Sequence, residues 1–224
     1  MRVVDLFSGM GGWSQPALDR GHEVTRVELD TRFPAEIHAD ILELDPGRLP
    51  YRPDLLLASP PCEGFSVMNI GKNWHHDGTP KTDTARLALR LVEATLSIVR
   101  AIEPTFWVME NPRDKLRVLA PVRGLERRTV TYCHFGEERM KPTDLWSDAW
   151  PPSLWLDPPC KNGDPCHVRA PRGSRTGTQG SHGGDYWRKS LIPYPLALRV
   201  LTAAEEDLSA DRRARTVAGQ ATFW

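Results

Sequence analysis

The chain has 224 residues, 40% hydrophobic and 26% charged, with 29 Lys and Arg balanced by 29 Asp and Glu. That length and composition suit one soluble globular domain, with or without a small appendage, and a real buried core. No apolar run approaches the ~20 residues that span a bilayer, and Met1-Arg-Val-Val-Asp-Leu-Phe lacks the pattern of a secretory signal, so a cytoplasmic location is expected.

Arg2 to Phe7 reads as a buried strand that ends in Ser8-Gly9-Met10-Gly11-Gly12. A helix is expected from Trp13 to Arg20, stopped by Gly21. His22 to Leu29 is a second strand, and Asp54 to Ala58 a third that ends at Ser59-Pro60-Pro61-Cys62. Thr84 to Ile102 carries apolar residues at helical spacing and forms the clearest helix. Thr105 to Met109 is another strand, ending at Glu110-Asn111-Pro112. Strands alternating with helices predict an α/β, Rossmann-like parallel sheet wrapped by helices, with ligands outside the carboxyl ends of the strands.

After about Thr143 the character changes. Pro, Gly, Trp and basic residues dominate, and Trp150 to Gly184 shows no periodicity. Whole-chain neutrality counts mildly against nucleic-acid binding. From Lys161 to Ser190, however, six Lys and Arg face two Asp, which is where a phosphate backbone could be held. A final helix is expected from Tyr194 to Glu205. The expected organisation is a catalytic domain at 1–145, a small loop-rich target-recognition region at 146–192, and a helix at 193–224 returning to the first domain. There is no internal repeat. The tryptophans at 146, 150 and 155 are expected to pack rather than to stack on bases.

Asp5-Leu-Phe-Ser-Gly-Met-Gly-Gly follows a strand and precedes a helix. Glycines there let the backbone approach a ligand, and the helix start offers free N–H groups. Glu28 at the end of the next strand can take both hydroxyls of a ribose, and Asp40 can accept from an adenine amino group.

Ser59-Pro60-Pro61-Cys62-Glu-Gly-Phe-Ser66 at one strand end, with Met109-Glu110-Asn111-Pro112 at the next, is more specific. With the Asp5 motif ahead of them in order and at compatible spacing, these segments resemble the cytosine-5 DNA methyltransferases, in a compact form that would suit a bacteriophage. The likeness covers roughly residues 1 to 145. Pro158-Pro159-Cys160 repeats the tripeptide without a preceding apolar strand or a trailing Gly-Phe-Ser, so Cys62 is the one whose setting matches.

The resemblance implies S-adenosylmethionine as cofactor, leaving S-adenosylhomocysteine, and double-stranded DNA as the partner of a monomeric enzyme. It implies that Cys62 adds to carbon 6 of a flipped-out cytosine and that Glu110 donates a proton to ring nitrogen 3. Asn111 is expected to fix the Cys62 loop. The cofactor set expected is Asp5, Phe7, Ser8, Gly9, Gly11, Gly12, Trp13, Glu28, Leu29, Asp40, Ile41, Ser59 and Pro60. The family's basic motif after the acid motif holds the cytosine and sugar-phosphate. Here only Arg139 and Lys141 stand near, in a pattern that departs from it.

Arg172, Ser174, Arg175, Thr176 and Gln179 mix guanidinium groups with hydroxyls and an amide, which suits phosphate contact and base-edge readout. Ser66 is expected to join them at the DNA. Cys160, Cys166 and His167, with Cys133, could supply four zinc ligands. Cys-x5-Cys-His fits no common zinc spacing, and adjacent ligands are awkward on one tetrahedral ion, so no metal is assigned from sequence. Two other functions fit the same scaffold: a cytosine-5 enzyme acting on RNA, and a silent DNA-binding homologue. Retention of Cys62 and Glu110 argues against the silent form.

Overall fold

The computed structural model describes residues 1–66, 69–169 and 190–221, the side chains only as far as residue 214. Arg172, Ser174, Arg175, Thr176 and Gln179 lie outside the described residues.

Seven strands form one sheet: β1 (Arg2–Leu6), β2 (Glu23–Glu28), β3 (Ile37–His38), β4 (Leu55–Ala58), β5 (Phe106–Pro112), β6 (Glu126–Thr131) and β7 (Pro142–Ser147). Their order is β3-β2-β1-β4-β5-β7-β6. The first five are parallel, while β7 runs antiparallel to both neighbours. The order reverses between β1 and β4, and a doubly wound sheet opens its ligand crevice beside that switch point. The loops after β1 and β4 carry the glycine motif and Cys62.

Among the described residues the named α-helices are α1 (Gln15–Asp19), α2 (Ile70–Asn73), α3 (Asp83–Ile102) and α4 (Tyr194–Ala221). Side chains of successive strand residues point to opposite faces, and two cores result. Val4, Leu6, Leu56, Ala58 and Met109 pack on α3. Val3, Leu55, Leu57 and Val108 pack on α1 and α4 through Ala17, Leu196 and Val200. Thr82 caps α3 by accepting from the Ala85 N–H, and a left-handed Glu103 ends it.

Four sequence expectations change. Trp13 lies in a turn and α1 begins only at Gln15, where Pro16 sits in the first turn, a position that needs no N–H. Glu110-Asn111-Pro112 belong to β5 rather than following it, because β7 pairs with this segment from Met109↔Trp146 to Pro112↔Thr143. The last helix extends beyond Glu205 to Ala221. Trp146 is core and Trp150 stacks under the Arg128 guanidinium at 4.4 Å, but Trp155 is 71% exposed.

Candidate active site

β4 ends at Ala58, paired with Met109, whereas β5 continues for three more residues. The Ser59–Cys62 turn therefore lies beside a strand that has outrun its neighbour, and Glu110 emerges at the step. The turn is anchored from several sides. Asn111 Nδ2 donates to the Pro60 carbonyl over 2.8 Å, and the Phe65 N–H donates to the Cys62 carbonyl over 3.0 Å. The Gly64 carbonyl accepts from Asn73 Nδ2 and Trp74 Nε1 at 3.1 and 2.8 Å. Gly64 presses on α3 so closely that a Cβ would lie 2.5 Å from Ala88 Cβ. Trp13 Nε1 donates to Ser59 Oγ over 2.8 Å, joining this turn to the glycine loop.

Cys62 is half-buried. Burial, then the charges of Glu110 and Asp114, push its thiol up to about 12, opposed by Lys141 and a backbone N–H. Glu110 is only 5% exposed. Burial raises its carboxyl above the usual range, against the Lys141 charge and the hydroxyls of Tyr132 and Ser59. Tyr132 donates to Glu110 Oε1 over 3.0 Å, and Lys141 Nζ sits 4.3 Å above the Tyr132 ring. Burial lowers the Lys141 ammonium, while Glu110 and Cys62 support it. Cys62, Glu110 and Lys141 thus form one electrostatic unit, and Asn111 is bonded into its frame. Arg139 instead pairs with Glu137 at 3.1 Å. Ser66 is half-buried in the turn, its carbonyl accepting from the Asn69 N–H.

Two groups that act on this unit escape the motifs. Tyr132 follows β6 in a region without a recognisable pattern. Asp114 is buried, with its carboxyl raised to about 8 by burial above all.

In the glycine loop, Asp5 is fully buried and neither carboxylate oxygen has a hydrogen-bond partner; the Ser8 and Ser14 hydroxyls are likewise unpartnered. Burial raises Asp5 to about 7, opposed mainly by the nearby Ser14. Open space surrounds the place where a Gly9 Cβ would stand, and a Gly11 Cβ would meet only Ser14 Oγ at 3.7 Å. At Gly12 a Cβ would lie 2.8 Å from the Ile192 backbone nitrogen. Its lack of a side chain admits the chain leading into α4. Phe7 adopts a left-handed φ of 62°.

Glu28 accepts from the Gly9 and Asp30 N–H groups at 2.8 and 2.9 Å, so it braces the loop with both oxygens. Asp40 Oδ1 accepts from the Leu42 N–H, Ile41 is buried in the core, and Leu29 is 65% exposed. A buried carboxylate and hydroxyls without partners, beside an open backbone turn, are what a polar cofactor would satisfy.

Cys133, Cys160, Cys166 and His167, unassigned from sequence, come together with their ligand atoms all within 4.8 Å of one another.

The sheet, parallel from β3 to β5 and flanked by helices, is a Rossmann-like α/β fold. The family profile described as C-5 cytosine-specific DNA methylase matches residues 1–116. The chain belongs to that family. It is 30% identical over 155 residues to the "Probable DNA (cytosine-5)-methyltransferase" of Frog virus 3 (isolate Goorha), covering 66% of this chain and 71% of the viral one. It is 33% identical over 125 residues to type II methyltransferase M.HgiGI of Herpetosiphon aurantiacus, covering 50% and 90%. Among solved structures, Entamoeba histolytica methyltransferase EhMeth aligns at 12% identity and a TM-score of 0.47, covering 72% of this chain and 57% of its own.

Proposed function

We propose that the protein transfers a methyl group from S-adenosylmethionine to carbon 5 of cytosine in double-stranded DNA, through a covalent adduct at Cys62. The observation that carries the reading is the meeting of Cys62 and Glu110 at the step between β4 and β5, with Lys141 as their shared counter-charge. Asp5, Ser8, Gly9 and Gly11 would hold the cofactor, whose sulfonium supplies an electrophilic methyl group.

The charges argue for a specific distribution of protons. An ionised Glu110 raises the Cys62 thiol, so sulfur ionises most easily when the carboxyl keeps its proton, as burial favours. The Cys62 thiolate adds to carbon 6, and Glu110 delivers its proton to ring nitrogen 3 as electrons move onto the base. Carbon 5 becomes nucleophilic and takes the methyl group. After methylation the carbon 5 proton leaves to a base, and its electron pair re-forms the 5,6 double bond. Sulfur departs with the carbon–sulfur pair, and nitrogen 3 returns its proton to Glu110. The cytosine must leave the duplex to reach Cys62, at a cost of a few kcal/mol.

We assign target recognition to residues 146–192, with Ser66, Arg172, Ser174, Arg175, Thr176 and Gln179 at the DNA, and action as a monomer in the cytoplasm. Expression in cells lacking cytosine methylation, followed by single-base methylation sequencing, tests the activity and finds its target together. Methylcytosine at a fixed short sequence, lost in Cys62→Ala, is the expected result. Unmodified DNA, or methylation confined to RNA, overturns the reading.

A further inference from the structure

Outside the catalytic cavity, the densest cluster of ligating side chains among the described residues is the group of three thiols and one imidazole. Cys133 lies in the 3₁₀ turn at Tyr132–Phe135, directly after β6. The other three come from residues 160–167, so the cluster joins two distant segments. Cys133 Sγ is 3.3 Å from Cys160 Sγ and 3.6 Å from Cys166 Sγ. His167 Nδ1 is 3.6 and 3.4 Å from the Cys160 and Cys166 sulfurs.

We propose that Cys133, Cys160, Cys166 and His167 bind one zinc ion that fastens the 160–168 loop to the end of β6. A tetrahedral zinc with sulfur at 2.3 Å and nitrogen near 2.05 Å places its ligands about 3.8 Å (S–S) and 3.6 Å (S–N) apart. The four separations above lie within half an ångström of those edges. Three thiolates and an imidazole make a complete, closed ligand set of the structural kind, with no position left for water.

The adjacency of Cys166 and His167 is resolved by the choice of ring nitrogen. Nδ1, the nitrogen nearer the backbone, faces the sulfurs, so neighbouring residues can converge on one point. The Gly163 N–H donates to Nε2 over 3.4 Å; zinc on Nδ1 puts the ring proton on Nε2, so metal binding replaces this long bond. A disulfide between Cys133 and Cys160 would use only two of the four groups and leave Cys166 and His167 facing it without a role.

The backbone already docks the loop: the Cys160 N–H donates to Thr131 Oγ1 at 3.3 Å and the Val168 N–H to the Glu138 carbonyl at 2.8 Å. Cys133 directly follows Tyr132, the hydrogen-bond donor to Glu110. The ion thus ties the loop that leads in sequence to Arg172 and Arg175 to the segment that sets the acid. Binding replaces three thiol protons with the metal, so occupancy weakens as pH falls.

The test is metal content of the full chain purified without chelator, with Cys166→Ser and Cys62→Ser beside it. Cys166 is exposed, so its replacement spares the core. One zinc per chain is expected in the parent and in Cys62→Ser, falling to a small fraction in Cys166→Ser. Exchange of the metal for cobalt(II) should give the intense visible bands of a tetrahedral site and sulfur-to-cobalt charge transfer. This readout needs no variant to fold. A chain free of zinc that gives no such cobalt spectrum, equal zinc in Cys166→Ser, or a Cys133–Cys160 disulfide in the freshly purified protein overturns the proposal.

Discussion

Asn111 donates from Nδ2 to the carbonyl of Pro60 over 2.8 Å, so the strand that carries Glu110 holds the turn that carries Cys62. The bond is buried, and removing its donor leaves a carbonyl unpaired, at a cost of about 1–3 kcal/mol. Asn111→Ala should lower the rate of methyl transfer about a hundredfold, the scale of a ~1 Å misplacement of a reacting group, with DNA affinity nearly unchanged. Single-turnover kinetics beside a binding titration separates the two. Equal losses in both would mean that the residue acts on binding instead.

The Tyr132 hydroxyl lowers the Glu110 carboxyl, partly offsetting burial. Because the acid must be protonated to serve nitrogen 3, activity should fall as pH rises through the Glu110 value, which lies above the ordinary carboxylate range. Tyr132→Phe removes a group that favours the ionised form, so the falling limb should move to higher pH. A pH–rate profile of kcat checks it, and a limb displaced to lower pH would contradict the assignment.

Asp5 has the clearest linkage to stability. Its folded value of about 7 exceeds the ordinary 3.8. Between those values the folded chain binds more protons than the unfolded one, so stability is lost as pH rises from about 4 to 7. At ~1.4 kcal/mol per unit the effect amounts to a few kcal/mol. In cofactor-free protein, Asp5→Asn should raise unfolding stability at pH 8 and make little difference at pH 4, while weakening cofactor binding. Urea denaturation at the two pH values measures the first, and calorimetric titration the second.

The parallel half of the sheet was legible because its strands are short continuous apolar runs that stop at chemically distinctive turns. The antiparallel half was not. Arg127, Arg128 and Asp144 interrupt any apolar run in β6 and β7, yet Asp144 is buried against Arg117, which reaches its Oδ1 at 2.7 Å. The pairing that conceals the charge also extends β5 and positions Glu110. Tyr132 and Lys141 reach the site through this same long-range pairing, and Asp114 through the turn after β5, neither of which leaves a local periodicity. Pro158-Pro159-Cys160 repeats the tripeptide that ends in Cys62, but its setting differs, since Cys160 lies with Cys133, Cys166 and His167. The sequence brings these four residues forward together, and only the unusual Cys-x5-Cys-His spacing with its adjacent ligands argues there against a shared metal.

Attack by the Cys62 sulfur on carbon 6 is best observed by trapping it. Duplex DNA carrying 5-fluorocytosine at the methylated position has no proton at carbon 5 to release, so sulfur cannot depart after methyl transfer. With S-adenosylmethionine present, the protein should form a denaturation-resistant complex with this DNA, and mass spectrometry should place the methylated base on Cys62. An adduct on Cys133, Cys160 or Cys166, or turnover of unmodified DNA by Cys62→Ala, would contradict the assignment of the nucleophile.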